Sequence, residues 1–243
     1  MLKLKIRGVG SASFPSSQSS APATTDHFSS VVLVDIGTKH KSQSETFTLR
    51  VATPSGLAAM EDLNGVIAGS PLLVLRRFDV DVLTAWLERT VASCAALSWN
   101  ECVDNLRMHF DHEFSFLDDA PPPGKTHSVL IGLDVKRIAG ADGRNLHRID
   151  GEEAELFGQR VIVDISTRDG VVSERFSTYV ATPEALTTRS DDRGVIACRP
   201  VVVVRRFAFD ELRCWLEETA SSCRAATWSE CVQRLNRHFD REP

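Results

Sequence analysis

His109-Phe-Asp-His112-Glu113 sets two imidazoles three positions apart with carboxylates beside them, residue types and spacing that could hold a divalent metal at a helix end. The segment returns 129 residues later as His238-Phe-Asp-Arg241-Glu242. Arginine has no lone pair to offer a metal. A structural His109 or His238, closing a helix against the negative end of its dipole, is the better reading. Cys94 and Cys102, with Cys223 and Cys231, fall at the end of one helix and early in the next, about two turns before those histidines. A Cys–His nucleophile pair is imaginable there, but cysteines on apolar helix faces pack as small hydrophobes.

Arg76-Arg77 and Arg205-Arg206 each end an apolar stretch and could grip a phosphate or a carboxylate. Strand alternation turns one of each pair outward, and pairing with a carboxylate of the same domain is expected. Trp86, Trp99, Trp215 and Trp228 sit at helical positions and are assigned to packing rather than to a ligand box. There is no glycine-rich phosphate loop, no Gly-x-Ser-x-Gly elbow and no His-Glu-x-x-His. The sequence therefore assigns no catalytic residue, no metal and no cofactor, and argues for no enzyme.

The recurrence of these groups is general. Val51-Ala-Thr-Pro54 returns as Val180-Ala-Thr-Pro183, and Gly65-Val-Ile-Ala68 as Gly194-Val-Ile-Ala197, at the same offset of 129. From Phe28 to Glu113 about half the positions match their counterparts without a gap. The organisation expected is a first domain at 1–117, a Pro/Gly linker at 118–127 carrying Asp118-Asp-Ala-Pro-Pro-Pro-Gly124, and a second domain at 128–243.

The chain has 243 residues, 42% of them hydrophobic and 25% charged, as ordinary globular domains do. A net charge of −5 disfavours a nucleic-acid binder and is too mild for a nucleic-acid mimic. The excess acid concentrates in the first 120 residues, with 10 Lys and Arg against 14 Asp and Glu, so steering of a basic partner would favour that half. Met1-Leu-Lys-Leu-Lys-Ile-Arg7 has no apolar run after its charges, which reads as no secretory signal and no membrane span. The expected location is the cytoplasm. The six cysteines form no Cys-x-x-Cys pair and are expected as buried thiols.

Alternation predicts strands at 2–6, 31–38 and 45–53 and at their counterparts 130–135, 160–167 and 174–182, giving a sheet with one wet face. Thr53-Pro54 and Thr182-Pro183 read as helix starts, with the short helices running to about Asp62 and Asp191. Pro71–Leu75 and Pro200–Val204 are apolar enough for a buried strand. Asp79–Ala96 and Phe209–Ala225 have helical period, and Ser98-Trp-Asn-Glu101 and Thr227-Trp-Ser-Glu230 fit capping boxes that open a last helix reaching Phe110 or Phe239. The fold class is α+β: two tandem homologous domains of order β-β-β-α-β-α-α, each a small antiparallel or mixed sheet packed by helices.

The order of these motifs, more than any one of them, resembles the Immunity protein 8 family of bacterial polymorphic toxin systems. Each copy runs from Phe-x-x-x-Val-Ala-Thr-Pro through Gly-Val-Ile and an apolar strand ending Arg-Arg-Phe. A Trp-bearing helix with a terminal Ser-Cys follows, then Ser/Thr-Trp-x-Glu and an acid-rich tail at Phe110-Asp-His-Glu-Phe114. The resemblance covers about Leu4 to Phe116 and Leu133 to the end. His112 and Arg241 stand where the family tends to have Trp, and Pro243 cuts short the second tail.

The resemblance implies a non-catalytic protein that neutralises a cognate toxin by tight binding, nucleases and deaminases being the commonest toxins that act in the cytosol. The rival reading is a secretion-system adaptor or chaperone that binds an effector without inhibiting it. Specificity is expected where the copies differ. The partner-binding candidates are Asp26 at the end of the loop 11–26 and His27 next to it, His40 in the following hairpin, and Asp111, His112, Glu113 and Phe114 in the tail. The partner expected is a toxin or effector domain, with no nucleic acid and no membrane.

Overall fold

In a computed structural model, residues 1–11, 24–39, 43–61, 65–69, 71–112, 130–189, 194–198 and 200–243 are described. The first copy supplies β1 (Leu4–Ser11), β2 (Thr24–Thr25), β3 (Ser29–Thr38), β4 (Ser44–Ala52), α1 (Pro54–Ala58), β5 (Val66–Ala68), β6 (Leu72–Leu75), β7 (Phe78–Asp79), α2 (Val80–Ser93), α3 (Trp99–Leu106) and β8 (Asp111–His112). The second supplies β9 (Leu133–Gly140), a 3₁₀ turn at Leu146–Arg148, α4 (Gly151–Glu155), β10 (Gly158–Thr167), β11 (Ser173–Ala181), α5 (Pro183–Thr188), β12 (Val195–Cys198), β13 (Val201–Val204), α6 (Phe209–Ser222), α7 (Trp228–Leu235) and β14 (Asp240–Arg241). The two repeats thus build α+β units, each a mixed sheet packed by helices.

Unit 1 gathers Met1–Gly56, Pro71–Pro122 and Ser190–Cys198. Its sheet runs β1-β3-β4-β6-β12, with β8 pairing β4 as well. Alternation along β3 buries Val32, Val34 and Ile36 completely, and along β4 it buries Phe47, Leu49 and Val51. Leu72 to Leu75 are buried on both sides, as a strand running parallel to β4 at the sheet interior must be. Asp79 caps α2 by accepting from the N–H groups of Asp81 and Val82 at 2.8 and 3.2 Å. That sets Leu83, Leu87 and Val91 against the sheet.

Unit 2 gathers Leu57–Ser70, Pro123–Arg189 and Arg199–Pro243, and its sheet runs β5-β13-β11-β10-β9 with β14 on β11. Its core repeats the first: Val161, Val163, Ile165, Phe176 and Val180 face Leu212, Leu216 and Phe239. The stacked pair Phe157–Phe207, with ring centroids 3.9 Å apart, restates Phe28–Phe78 at 3.9 Å.

The Gly-Val-Ile stretches carry strands that the sequence pattern did not predict: Gly65 and Gly194 turn with φ of 81° and 78°, and strands follow at once. Those strands are exchanged. β12, from the second copy, pairs β6 of the first, with Val195 opposite Leu75. β5, from the first copy, pairs β13 of the second, with Val66 opposite Val204. The N–H of Arg76 donates to the carbonyl of Gly194 at 2.9 Å, and that of Arg205 to Gly65 at 3.1 Å. Two further differences are short. The helices after Thr53-Pro54 and Thr182-Pro183 stop at Ala58 and Thr188, and the last helices stop at Leu106 and Leu235, freeing the chain to lay β8 and β14 on the sheets.

Candidate partner-binding site

The tails are held by a carboxylate clamp that both copies share. Ser98 and Thr227 form the expected capping boxes with Glu101 and Glu230, which fixes where the following tryptophan enters its helix. In unit 1 the indole N–H of Trp99 donates to Glu45 Oε1 on β4 at 3.1 Å. Glu45 Oε2 stands 2.7 Å from His112 Nε2 on β8. In unit 2 Trp228 donates to Glu174 Oε1 at 3.2 Å, and Arg241 on β14 grips the same carboxylate through Nε and Nη2, both at 2.8 Å. His112 and Arg241 therefore hold matching positions, each setting a side-chain nitrogen of the terminal strand on the carboxylate that also receives the tryptophan indole.

Asp26 and His27 lie elsewhere. Asp26 Oδ1 pairs with Arg77 Nε at 2.6 Å, the arginine–carboxylate pairing expected of the Arg-Arg step, and its carbonyl accepts from the Ser55 hydroxyl. The His27 N–H donates to Thr25 Oγ1 at 3.3 Å. Asp26 sits beyond the Ala52 end of β4, whereas Asp111 and His112 pair with Thr48 and Phe47. At a strand rise of about 3.4 Å per residue the two groups are about 17 Å apart or more, so they do not form one site. His40, Glu113, Phe114, residues 12–23 of the loop and the linker 118–127 lie outside the described residues.

The solvent faces of the two sheets differ sharply. In unit 2, Arg175 Nε binds Asp164 Oδ1 at 2.9 Å across β10 and β11. Arg160 Nε donates to Ser177 Oγ at 2.9 Å, the Ser177 hydroxyl donates to Glu242 Oε1 at 2.5 Å, and Arg160 also pairs with Glu242. The Arg189 guanidinium lies 4.3 Å from the centre of the Tyr179 ring. In unit 1 the matching positions are Val31, Leu33, Asp35, Thr46, Thr48 and Arg50. Val31 and Leu33 are 42% and 40% exposed.

The family model of Immunity protein 8 matches residues 4–116 and again 133–242. The chain belongs to the Immunity protein 8 family. No curated protein and no solved structure matches it significantly. Burial pushes the thiols of Cys94 and Cys223 up to about 11, and the Cys231 thiol up as well, so the nucleophilic thiolate is disfavoured. The Cys102 sulfur accepts from the Ala96 N–H at 3.2 Å, a packing role. Among the described residues no group of three or more His, Cys, Asp or Glu is placed to hold a metal, and no helix is long and apolar enough to cross a membrane.

Sequence reasoning did not single out Val31, Leu33, Asp35 or Arg50 as a face. The signal was present in the alignment of the copies. At the outward positions of β3 and β10, Val31 stands for Arg160, while the inward positions are nearly unchanged.

Proposed function

We propose that this chain is an immunity protein that binds and neutralises a cognate toxin domain acting in the cytosol, by protein–protein contact and without catalysis. The observation that carries the reading is the family match over both copies, 4–116 and 133–242. The repeats 1–117 and 128–243, joined by 118–127, are proposed as its two immunity modules. The exposed apolar and charged positions on the unit 1 sheet support a binding role, since a partner would cover them. Nucleases are among the toxin classes this reading covers; the acid excess of the first 120 residues, 14 against 10, would steer a basic partner to that half but is too small to mask a nuclease cleft by charge alone.

Co-expression with the toxin domain encoded beside this gene tests the reading. Survival together with a stable co-purified complex is the expected result. Co-purification without survival would transfer the chain to the adaptor class, and neither effect would remove the immunity reading.

A further inference from the structure

We propose that the solvent face of the unit 1 sheet, centred on Val31 and Leu33, is where the toxin domain docks; this rests on the immunity reading above. The second copy is an internal control. Both units build the same sheet in the same register: Asp35 faces Thr46 and Val31 faces Arg50 in one, as Asp164 faces Arg175 and Arg160 faces Tyr179 in the other. In unit 2 every charge on this face named above has an internal partner.

Unit 1 removes those partners. Asp35 is kept, but Thr46 replaces the arginine that Asp164 has. Arg50 replaces Tyr179 with no carboxylate set against it. Among the described residues neither the Asp35 carboxylate nor the Arg50 guanidinium has a hydrogen bond or ion pair, and both residues are half-buried. Between them stand Val31 and Leu33, at 42% and 40% exposure. Gly8 and Gly10 lie opposite Asp35 and Leu33, and a Cβ built on either would meet nothing within 4 Å.

The row across the sheet is Gly10, Leu33, Thr48, Asp111, because paired residues of antiparallel strands share a face. Asp111 on the tail therefore borders the same patch. An apolar centre flanked by Asp35 and Asp111 fits a toxin surface with an apolar core and a basic rim, and Arg50 takes one acidic group at the far end. Asp35 and Arg50 are four residues apart along the strand direction, about 13 Å, so the patch is the size of an interface centre rather than of a small-molecule site.

The test uses the full chain and a catalytically inactivated form of the neighbouring toxin domain, with affinity read by calorimetry. Leu33→Glu and Asp35→Lys are each expected to weaken binding at least about tenfold with the thermal midpoint unchanged. The matched change in unit 2, Ile162→Glu, is expected to leave affinity as it is. Should Leu33→Glu unfold the chain, Asp35→Lys alone decides, since it replaces one charged side chain by another and adds no charge at an apolar position. Wild-type binding with both unit 1 variants equally tight overturns the surface and leaves the immunity reading standing. Failure of the wild type to bind removes the immunity reading and the surface with it. A wild-type dimer that Leu33→Glu converts to a monomer, by light scattering, overturns the proposal in favour of a second copy on the face.

Discussion

Glu45 Oε2 lies 2.7 Å from His112 Nε2, and 129 residues later Glu174 Oε2 lies 2.8 Å from Arg241 Nε. One carboxylate, on β4 in unit 1 and on β11 in unit 2, thus receives a tryptophan indole from the last helix and a side-chain nitrogen from the terminal strand. The duplication has kept the arrangement and changed the residue that supplies the nitrogen.

That relationship predicts an asymmetric substitution pattern. His112→Arg should be tolerated, because the same backbone position in unit 2 already carries Arg241 against the same partners. Glu45→Ala should cost about 1–3 kcal/mol, because it strands the half-buried indole N–H of Trp99 and removes the anchor of β8. Urea denaturation measures both. Equal losses for the two variants would show that the histidine has a role the arginine cannot fill.

The helix starts offer a second comparison between copies. Asp79 caps α2, whereas Ala208 at the start of α6 makes no side-chain cap. Asp79→Ala should lose about 1 kcal/mol, and Ala208→Asp should gain a similar amount. Ser98→Ala and Thr227→Ala, each removing one arm of a capping box, should also cost about 1 kcal/mol each. The measurement is thermal unfolding of the four variants. A destabilised Ala208→Asp chain would contradict the account, since the backbone at Ala208, with φ −136° and ψ 118°, already matches that of Asp79.

Cysteine ionisation sets a pH dependence with a definite sign. Cys94 and Cys223 ionise near 9.0 in an open chain and near 11 when folded. Their contribution to stability is therefore fully present below pH 9 and is lost as pH rises toward 11, because the unfolded chain releases those protons first. Denaturation midpoints should fall across that window by a slope of about one proton per thiol, and Cys94→Ala with Cys223→Ala should flatten it. At pH 8 the exposed Cys214 should react first among the described sulfurs with a thiol reagent. Fast reaction of Cys94 in the native chain would refute its burial.

Much of this architecture was legible because the pattern and the burial agree. Val32, Val34 and Ile36 alternate in sequence and in exposure, and Ser98-x-x-Glu101 specifies its cap locally. The exchange was not legible. Val66-Ile-Ala68 and Val195-Ile-Ala197 are identical apolar triplets, so each could pair with either β6 or β13, and nothing local selects between them. The candidate site was only partly legible. Asp111 borders the patch proposed for the toxin, but Asp26 is held by Arg77, a pairing that takes it away from the tail. The outward face of β3 escaped notice because a single strand's alternation shows which residues point out, not whether their neighbours across the sheet satisfy them.

The exchange itself makes the last prediction. Val66 is 7% exposed within the unit 2 core and Val195 8% within the unit 1 core. Burying a valine contributes about 1.5–3 kcal/mol, and each exchanged strand adds backbone pairing on top of that. A protease site placed within 118–127 and cut in the folded protein should therefore leave the two pieces co-eluting on native gel filtration, separating only in denaturant. Val66→Asp combined with Val195→Asp should let the cut pieces part without denaturant, because each change puts a charge into the core that the exchanged strand completes. Separation of the cut wild-type pieces in native buffer would mean that each copy keeps its own Gly-Val-Ile strand, with Val66 beside Leu75 instead of Val204.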